Sequence, residues 1–471
     1  MVFSSSTFLF VFLPIALAGN FLLPKKFRNG WLLFASLFFY AWGEPKFVFM
    51  MMVSVIINWG AALLINFEKA TKGRGGKAIL TCAVAANLLL LVVFKYLNFT
   101  LSNLNRIAPI FPQTNIVLPI GISFFTFQGL SYVVDVYRDS SRVQRNPMNV
   151  GLYISFFPQL IAGPIVRYDT IAAEIKNRTS TWDDVCVGLR RFLVGLSKKI
   201  LLANNMALVA DVAFGTPEGS LSVAMAWFGA LCYTLQIYFD FSGYSDMAIG
   251  LGRIFGFHFD ENFRFPYISK SVTEFWRRWH ISLGSWFRDY VYFPMGGSKV
   301  SLWKHVRNLF VVWFLTGLWH GANWTFIVWG LMYFVLLVLE KFLIHPERFG
   351  TKSIGRWGWQ AFTMLTVVFG WVLFRSNTIA HSASYLGAMF GVAASWINAD
   401  AVFYIREYAV LFVLAVVCCL PIGEKLQNLV RDTRAEVGFE CVKAVGLYAL
   451  LLLSVSYLVM GAHNPFIYFN F

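Results

Sequence analysis

The sequence predicts an all-α polytopic membrane protein, and three observations carry that prediction. Hydrophobic residues make up 58% of the chain and charged residues only 13%, against about 25% charged in soluble domains. Apolar runs near twenty residues recur along its 471 residues, the length a helix rising about 1.5 Å per residue needs to cross a hydrocarbon core of about 30 Å. Basic clusters recur at every second loop: Lys25, Lys26 and Arg28, then Lys69, Lys72, Arg74 and Lys77, then Arg138, Arg142 and Arg145. By the positive-inside rule these loops face the cytoplasm and the N-terminus lies outside.

Taken in order, the strongest runs are 7–24, 47–65, 78–98, 148–166, 221–251, 307–340, 357–375, 403–420 and 441–460. Segments 31–42, 116–134, 186–213 and 382–396 are shorter or interrupted by Gly, Pro or charge, and together the runs predict roughly 10–12 transmembrane helices. The first run holds an A-x-A-like triplet at Ala16–Ala18, but no basic region precedes it, so it reads as a retained helix. Segment 186–213 sets Arg190, Arg191, Lys198 and Lys199 between apolar patches, as an interfacial or partly buried helix would. Residues 251–306 are polar yet rich in aromatics, which suits short re-entrant or interfacial helices. No linker, repeat or low-complexity tract divides the chain, so a single domain spanning 1–471 is expected.

Composition also excludes functions. A net charge of +15 could point to nucleic acid, but there is no basic soluble module to bind it. Cys82, Cys186, Cys232, Cys418, Cys419 and Cys441 lack metal-type spacing and read as small buried hydrophobes, so neither a metal site nor a disulfide framework is expected. GxSxG, HExxH, GxxxxGK[ST] and GxGxxG in a βαβ context are all missing, which leaves hydrolase, zinc-protease and nucleotide-binding readings without their motifs.

The chemistry concentrates in Phe314–Gly330, FLTGLWHGANWTFIVWG, where His320 and Asn323 interrupt an apolar span and Gly317 and Gly321 permit close approach of another helix or a ligand. A structural histidine in a helix bundle is the plainer reading. A general base in a water-poor cavity fits acyl transfer to a hydroxyl, since it takes the proton while water, the competing nucleophile, is kept out. Upstream, Ser271–Tyr290 reads as one helix capped by Ser271 or Thr273, with Glu274 four before Arg278 and with Trp276 and His280 on one face. Arg277, Arg278 and Arg288 are either snorkelling anchors or the wall of an anion site. Asp240 and Asp246 lie in or beside a span and are expected to pair with an arginine such as Arg253 or Arg278. LPIGISFFTFQGLSY (118–132) and FFPQLIAGPI (156–165) carry Gln128, Gln159 and several Gly and Pro, as kinked cavity walls do.

Five stretches, LPIGISFFTFQ, FFPQLIAGPI, YFDFSGYSDMAIGLG, FWRRWHISLGSWFRDYVYFPMGG and TGLWHGANWTFIVWG, occur in one order between the N-terminal span and about Phe374. With them the chain resembles the membrane-bound O-acyltransferase (MBOAT) family, and within it the bacterial alginate and peptidoglycan O-acetyltransferase branch. The resemblance covers 1–374, while the spans of 375–471 resemble the family only in being hydrophobic. It implies a ring of helices around a central funnel, and it puts the family's near-invariant histidine on His320 and its second polar position on His280. His320 would then be the general base, with His280 positioning the donor or stabilising the developing oxyanion. Trp319, Asn323, Trp324, Trp279, Arg277, Arg278, Asp246 and Gln159 would contact substrate.

The resemblance further implies a short acyl group carried by a cytoplasmic thioester, acetyl-coenzyme A or a carrier-protein phosphopantetheine, with no tightly bound cofactor. It implies a multi-pass protein of the bacterial cytoplasmic membrane, surrounded by membrane lipids, working with a separate extracytoplasmic SGNH-type transferase or esterase. The alternatives are D-alanyl or other acyl transfer to teichoic acid or a lipid, a transporter or flippase without chemistry, and a non-catalytic scaffold.

Overall fold

The computed structural model describes residues 1–471 except 73–74, 218, 350–353, 393–394, 462 and 466–471. Arg74, one of the basic loop residues, therefore lies outside the described residues. Among the described residues helices are the only regular structure, in an element order that runs without a strand from Phe8 to Val459. Seven helices among the described residues are long and apolar enough to cross a membrane: Phe47–Thr71, Lys77–Ile107, Trp182–Gly215, Trp324–Ile344, Ile354–Arg375, Ala399–Cys418 and Glu436–Val459. The protein is thus an all-helical, multi-pass membrane protein. The chain forms two compact units, Met1–Phe192 with Tyr244–Glu261, and Leu193–Gly243 with Asn262–Phe471.

In the first unit, polar side chains fasten apolar helices to one another. Asn58 and Asn87 exchange amide hydrogen bonds of 3.1 and 2.9 Å between Phe47–Lys72 and the helix that follows. Gly129 makes room for them, since a Cβ there would sit 2.4 Å from Asn58 Nδ2. Run 148–166 does not form one span. A helix Pro147–Ser155 is followed by a single turn, Phe157–Leu160, and then by non-helical chain through Pro164. Pro158 and Pro164 supply no amide donor, so Pro158 sits in the first turn of the short helix after the break, and Pro164 disfavours helical geometry in Gly163 before it. Gly121 meets this break: its φ is +75°, and a Cβ would lie 2.8 Å from Leu160 O. Glycine is needed there on both counts.

Asp246 pairs with an arginine, as expected, but with Arg191 rather than Arg253 or Arg278, and Asp240 pairs with a lysine. Asp246 accepts from Arg191 at 2.8 Å, and Arg191 also binds Glu261, while Arg253 is taken by Asp184 at 3.1 Å. Asp240, in the second unit, pairs with Lys199 at 2.6 Å, both side chains 3% exposed. Lys199 lies in Trp182–Gly215, 34 residues long and 61% buried in its apolar window, so of the two readings of segment 186–213 the partly buried helix holds, at the length of a span.

In the second unit, run 307–340 is not one helix but a hairpin of Leu302–His320 and Trp324–Ile344. Gly321 breaks it in an extended conformation (φ −179°), and Asn323 starts the return by accepting from Thr325 N–H at 3.2 Å. Such a side-chain acceptor satisfies one of the donors a helix start leaves open. The two arms approach at glycines: a Cβ on Gly317 would lie 2.5 Å from Phe326 O, and one on Gly330 would lie 2.5 Å from Trp313 O. Segment 251–306 forms short helices, as the sequence predicts, including Val272–Arg278 and Ile281–Phe287. Ala399–Cys418 and Glu436–Val459 bury only 11% and 6% of their apolar windows, so most of their apolar side chains are left uncovered by the protein. The cysteines follow suit. Cys232 and Cys419 are buried, but Cys82, Cys186, Cys418 and Cys441 are exposed, because apolar side chains on a membrane helix need no protein cover.

Candidate active site

The segment carrying His280 is anchored at its start by a carboxylate. Ser271 caps Val272–Arg278 through its hydroxyl, which accepts from Glu274 N–H at 3.1 Å. The buried Glu340 accepts from Val272 N–H (2.6 Å), Thr273 N–H (2.8 Å), the Thr273 hydroxyl (2.6 Å) and Trp359 Nε1–H (2.9 Å). A negative charge at a helix N-terminus is favoured by the dipole and by the open amide donors. Glu340 lies in the helix Trp324–Ile344, so one residue ties the His320 hairpin to the His280 segment.

The single helix expected over Ser271–Tyr290 does not form. It stops at Arg278, Trp279 is extended, and His280 takes a left-handed conformation (φ 46°, ψ 53°) before Ile281–Phe287 begins. Trp276 and His280 therefore do not share one helix face. A non-glycine residue with positive φ persists where its surroundings over-determine it. Here they do: Ile281 N–H donates to Asn262 O at 3.0 Å, and Asn262 Oδ1 faces Ser282 N–H (3.2 Å), the Ser282 hydroxyl (2.9 Å) and His280 Nδ1 (3.2 Å). Asn262 is fully buried and His280 is 2% exposed. Burial lowers the pKa of His280, which lies outside the seven spans, from 6.5 to about 3, so the imidazole is neutral at physiological pH. Its Nε2 is buried without a hydrogen-bond partner.

His320 is the last residue of Leu302–His320, at the hairpin turn rather than in mid-span, and is 7% exposed. Rings surround it: Trp319 and Trp329 at 5.0 Å between centroids, Phe374 at 5.0 Å and Phe326 at 6.5 Å. The partial negative charge at a helix C-terminus favours a positive charge developing on this imidazole. Trp319 bridges the two histidines, with its ring 5.8 Å from that of His280. Phe241 closes the other side of His280 at 4.6 Å. Trp279 is buried against Trp371 (4.8 Å), which stacks on Trp329 (6.2 Å), so the wall behind both histidines is continuously aromatic.

The structure thus brings together His280, His320, Trp319 and Trp279. Asn323 lies at the turn as a helix cap, its amide donating to Asn377 O at 2.9 Å. Trp324 is 47% exposed. Arg278 is held by Glu274 (2.8 Å) and Arg264 O (3.0 Å), whereas Arg277 is exposed. Asp246 and Gln159 belong to the first unit, where Asp246 sits in the Arg191 cluster and Gln159 donates to Tyr153 O at 2.6 Å. Among the described residues no group of three or more His, Cys, Asp or Glu could hold a metal ion. Sequence reasoning missed Asn262, Ser282, Glu340 and the rings of Trp329 and Phe374. Only the rings carried a signal, in their density around the hairpin.

Comparison with known proteins identifies the chemistry. The family model for membrane-bound O-acyltransferases matches residues 34–380, which include both histidines and their partners. The chain is 38% identical to a probable alginate O-acetylase, AlgI, of Pseudomonas putida, over the whole of both proteins. It is 32% identical to a peptidoglycan O-acetyltransferase of Helicobacter pylori, over all of this chain and 98% of that one. With a teichoic acid D-alanyltransferase of Bacillus subtilis it shares 30% identity, over 68% of this chain and 83% of that one. The chain belongs to the membrane-bound O-acyltransferase family and is an O-acyltransferase.

Proposed function

We propose that the protein moves an acetyl group from a cytoplasmic thioester across the membrane for O-acetylation of a cell-surface polysaccharide or peptidoglycan, with His320 as general base. The observation that carries this reading is the pairing of two buried histidines on either side of Trp319, each at a helix end and walled by aromatic rings. In the transfer step the acceptor oxygen bonds to the acyl carbon and the carbon–sulfur bond breaks. The acceptor's proton passes to His320 and from there to the leaving thiolate. Aromatic walls exclude water, so the thioester meets the hydroxyl rather than hydrolysis. The helix end beneath His320 stabilises its imidazolium while it holds the proton. His280, Trp319 and Trp279 position the reacting groups, and the exposed Arg277 attracts the phosphates of coenzyme A or a carrier phosphopantetheine.

The protein works in the cytoplasmic membrane of a bacterium, with the basic loops at 25–28, 69–77 and 138–145 on the cytoplasmic side. A separate extracytoplasmic SGNH-type transferase completes the modification of the polymer. The similarity to a teichoic acid D-alanyltransferase supports a second reading, in which D-alanine replaces acetate on the same thioester chemistry.

The experiment is turnover by the purified protein in vesicles, with acetyl-coenzyme A labelled in its acetyl group. Consumption of the thioester with release of free thiol, and label appearing on a polysaccharide or peptidoglycan acceptor once the extracytoplasmic transferase is supplied with it, is the expected result. Label that crosses the membrane as intact thioester would make the protein a transporter. Turnover of a D-alanyl carrier thioester alone would favour the second reading.

A further inference from the structure

Asn262 accepts three hydrogen bonds at one oxygen, and their chemistry determines more than position. The backbone N–H of Ser282 can only donate, so the side-chain atom of Asn262 that faces it at 3.2 Å is the carbonyl oxygen and not the amide nitrogen. That oxygen can only accept, so the ring nitrogen 3.2 Å away, His280 Nδ1, carries the proton. The Ser282 hydroxyl, 2.9 Å from the same oxygen and 3.5 Å from Nδ1, donates to the one and leaves its lone pair toward the other. A neutral imidazole protonated at Nδ1 bears its lone pair at Nε2, the atom that is buried and without a partner.

We infer that Asn262 is a positioning residue that locks His280 in the Nδ1–H tautomer, so that Nε2 meets the acyl-transfer reactants as a hydrogen-bond acceptor. The inference rests on the acyltransferase reading given above and changes one part of what the sequence implied. With its lone pair at Nε2, His280 receives a hydrogen bond from the acceptor's hydroxyl or from an amide N–H of the donor's pantetheine arm. It does not donate to a developing oxyanion. The left-handed backbone at His280 serves the same end, because it turns Nδ1 and Ser282 N–H toward one oxygen.

The test is the nitrogen-15 spectrum of the full-length protein labelled at histidine, with the His280 signals assigned by their loss in His280→Gln. A protonated ring nitrogen and a bare one resonate far apart, so the tautomer is read directly. The wild type is expected to show Nδ1 protonated and Nε2 bare. Asn262→Leu, which removes the acceptor, should lose that pattern and lower kcat about 10- to 100-fold with little change in KM. Asn262→Asp, which keeps an acceptor oxygen, should retain the pattern. A wild type protonated at Nε2 overturns the proposal, as does an Asn262→Leu protein that keeps the wild-type tautomer. If Asn262→Leu does not fold, the wild-type spectrum alone decides. The outcome is separable from that of the His320 assignment: undiminished transfer by His320→Ala would remove the general base and leave the His280 spectrum unchanged.

Discussion

The two histidines occupy opposite kinds of surroundings. His320 sits at a hairpin turn made by close glycine contacts, at the C-terminal end of a helix, and is enclosed by rings. His280 sits at a strained break held by hydrogen bonds, with Asn262 and Ser282 on one ring nitrogen and nothing on the other. One fold thereby holds the same side chain through packing at one site and through polar contacts at the other, and the proposed reaction uses the first to take a proton and the second, neutral and oriented, to position.

That contrast can be broken first at the hairpin. Gly317→Val puts side-chain carbon against Phe326 O, where even a Cβ would lie at 2.5 Å. Overpacking of this kind costs about 1–3 kcal/mol or more, and here the obstacle is backbone that cannot rotate away. The expected result is a protein that either fails to accumulate or melts far below wild type, with transfer lost in both cases. A normal melting temperature in detergent would contradict the close approach.

A smaller loss is expected where the two regions are joined. Glu340→Leu leaves the Val272 and Thr273 amides and the Trp359 indole N–H without their acceptor, each unmet buried donor costing about 1–3 kcal/mol. Glu340→Gln keeps an acceptor oxygen and should recover part of the melting temperature. Limited proteolysis should find residues 262–300 more open in the leucine variant, and equal cleavage of both variants would show that the link carries little.

The smallest effect sharpens the contrast by pH. His280 stays neutral in the folded protein down to about 3 but binds a proton below about 6.5 when unfolded, so its contribution is present above 6.5 and is lost as the pH falls toward 3. Between pH 7.5 and 5 the wild type should lose up to about 2 kcal/mol from this source, and His280→Gln should lose less over the same interval. Parallel melting curves for the two proteins would mean that His280 is charged or solvated when folded.

Helicity and the membrane class were legible because they rest on composition and run length, and local motifs singled out the two histidines that the structure brings to either side of Trp319. The breaks were not. Periodicity runs unbroken through Trp276 and His280, and what interrupts it is Asn262, 18 residues upstream, whose place in the fold no local pattern records. At the hairpin the signal was present: Asn323 directly before a helix start is a capping pattern, but the apolar composition of both arms hid it. Asp246 was matched to nearby arginines, whereas its partner Arg191 lies 55 residues away, a choice made by helix packing. Exposed cysteines defied the burial rule because that rule describes proteins in water, and this one turns apolar helices outward.

The central claim, that His320 takes the proton from the acceptor, is tested most directly by transfer from labelled acetyl-coenzyme A under single-turnover conditions. Wild type and His320→Ala are compared at matched folded concentration, with the melting temperature as control. The account predicts that loss of the base slows transfer by about 10²–10⁴-fold while the variant remains folded. Transfer by His320→Ala at the wild-type rate would contradict it.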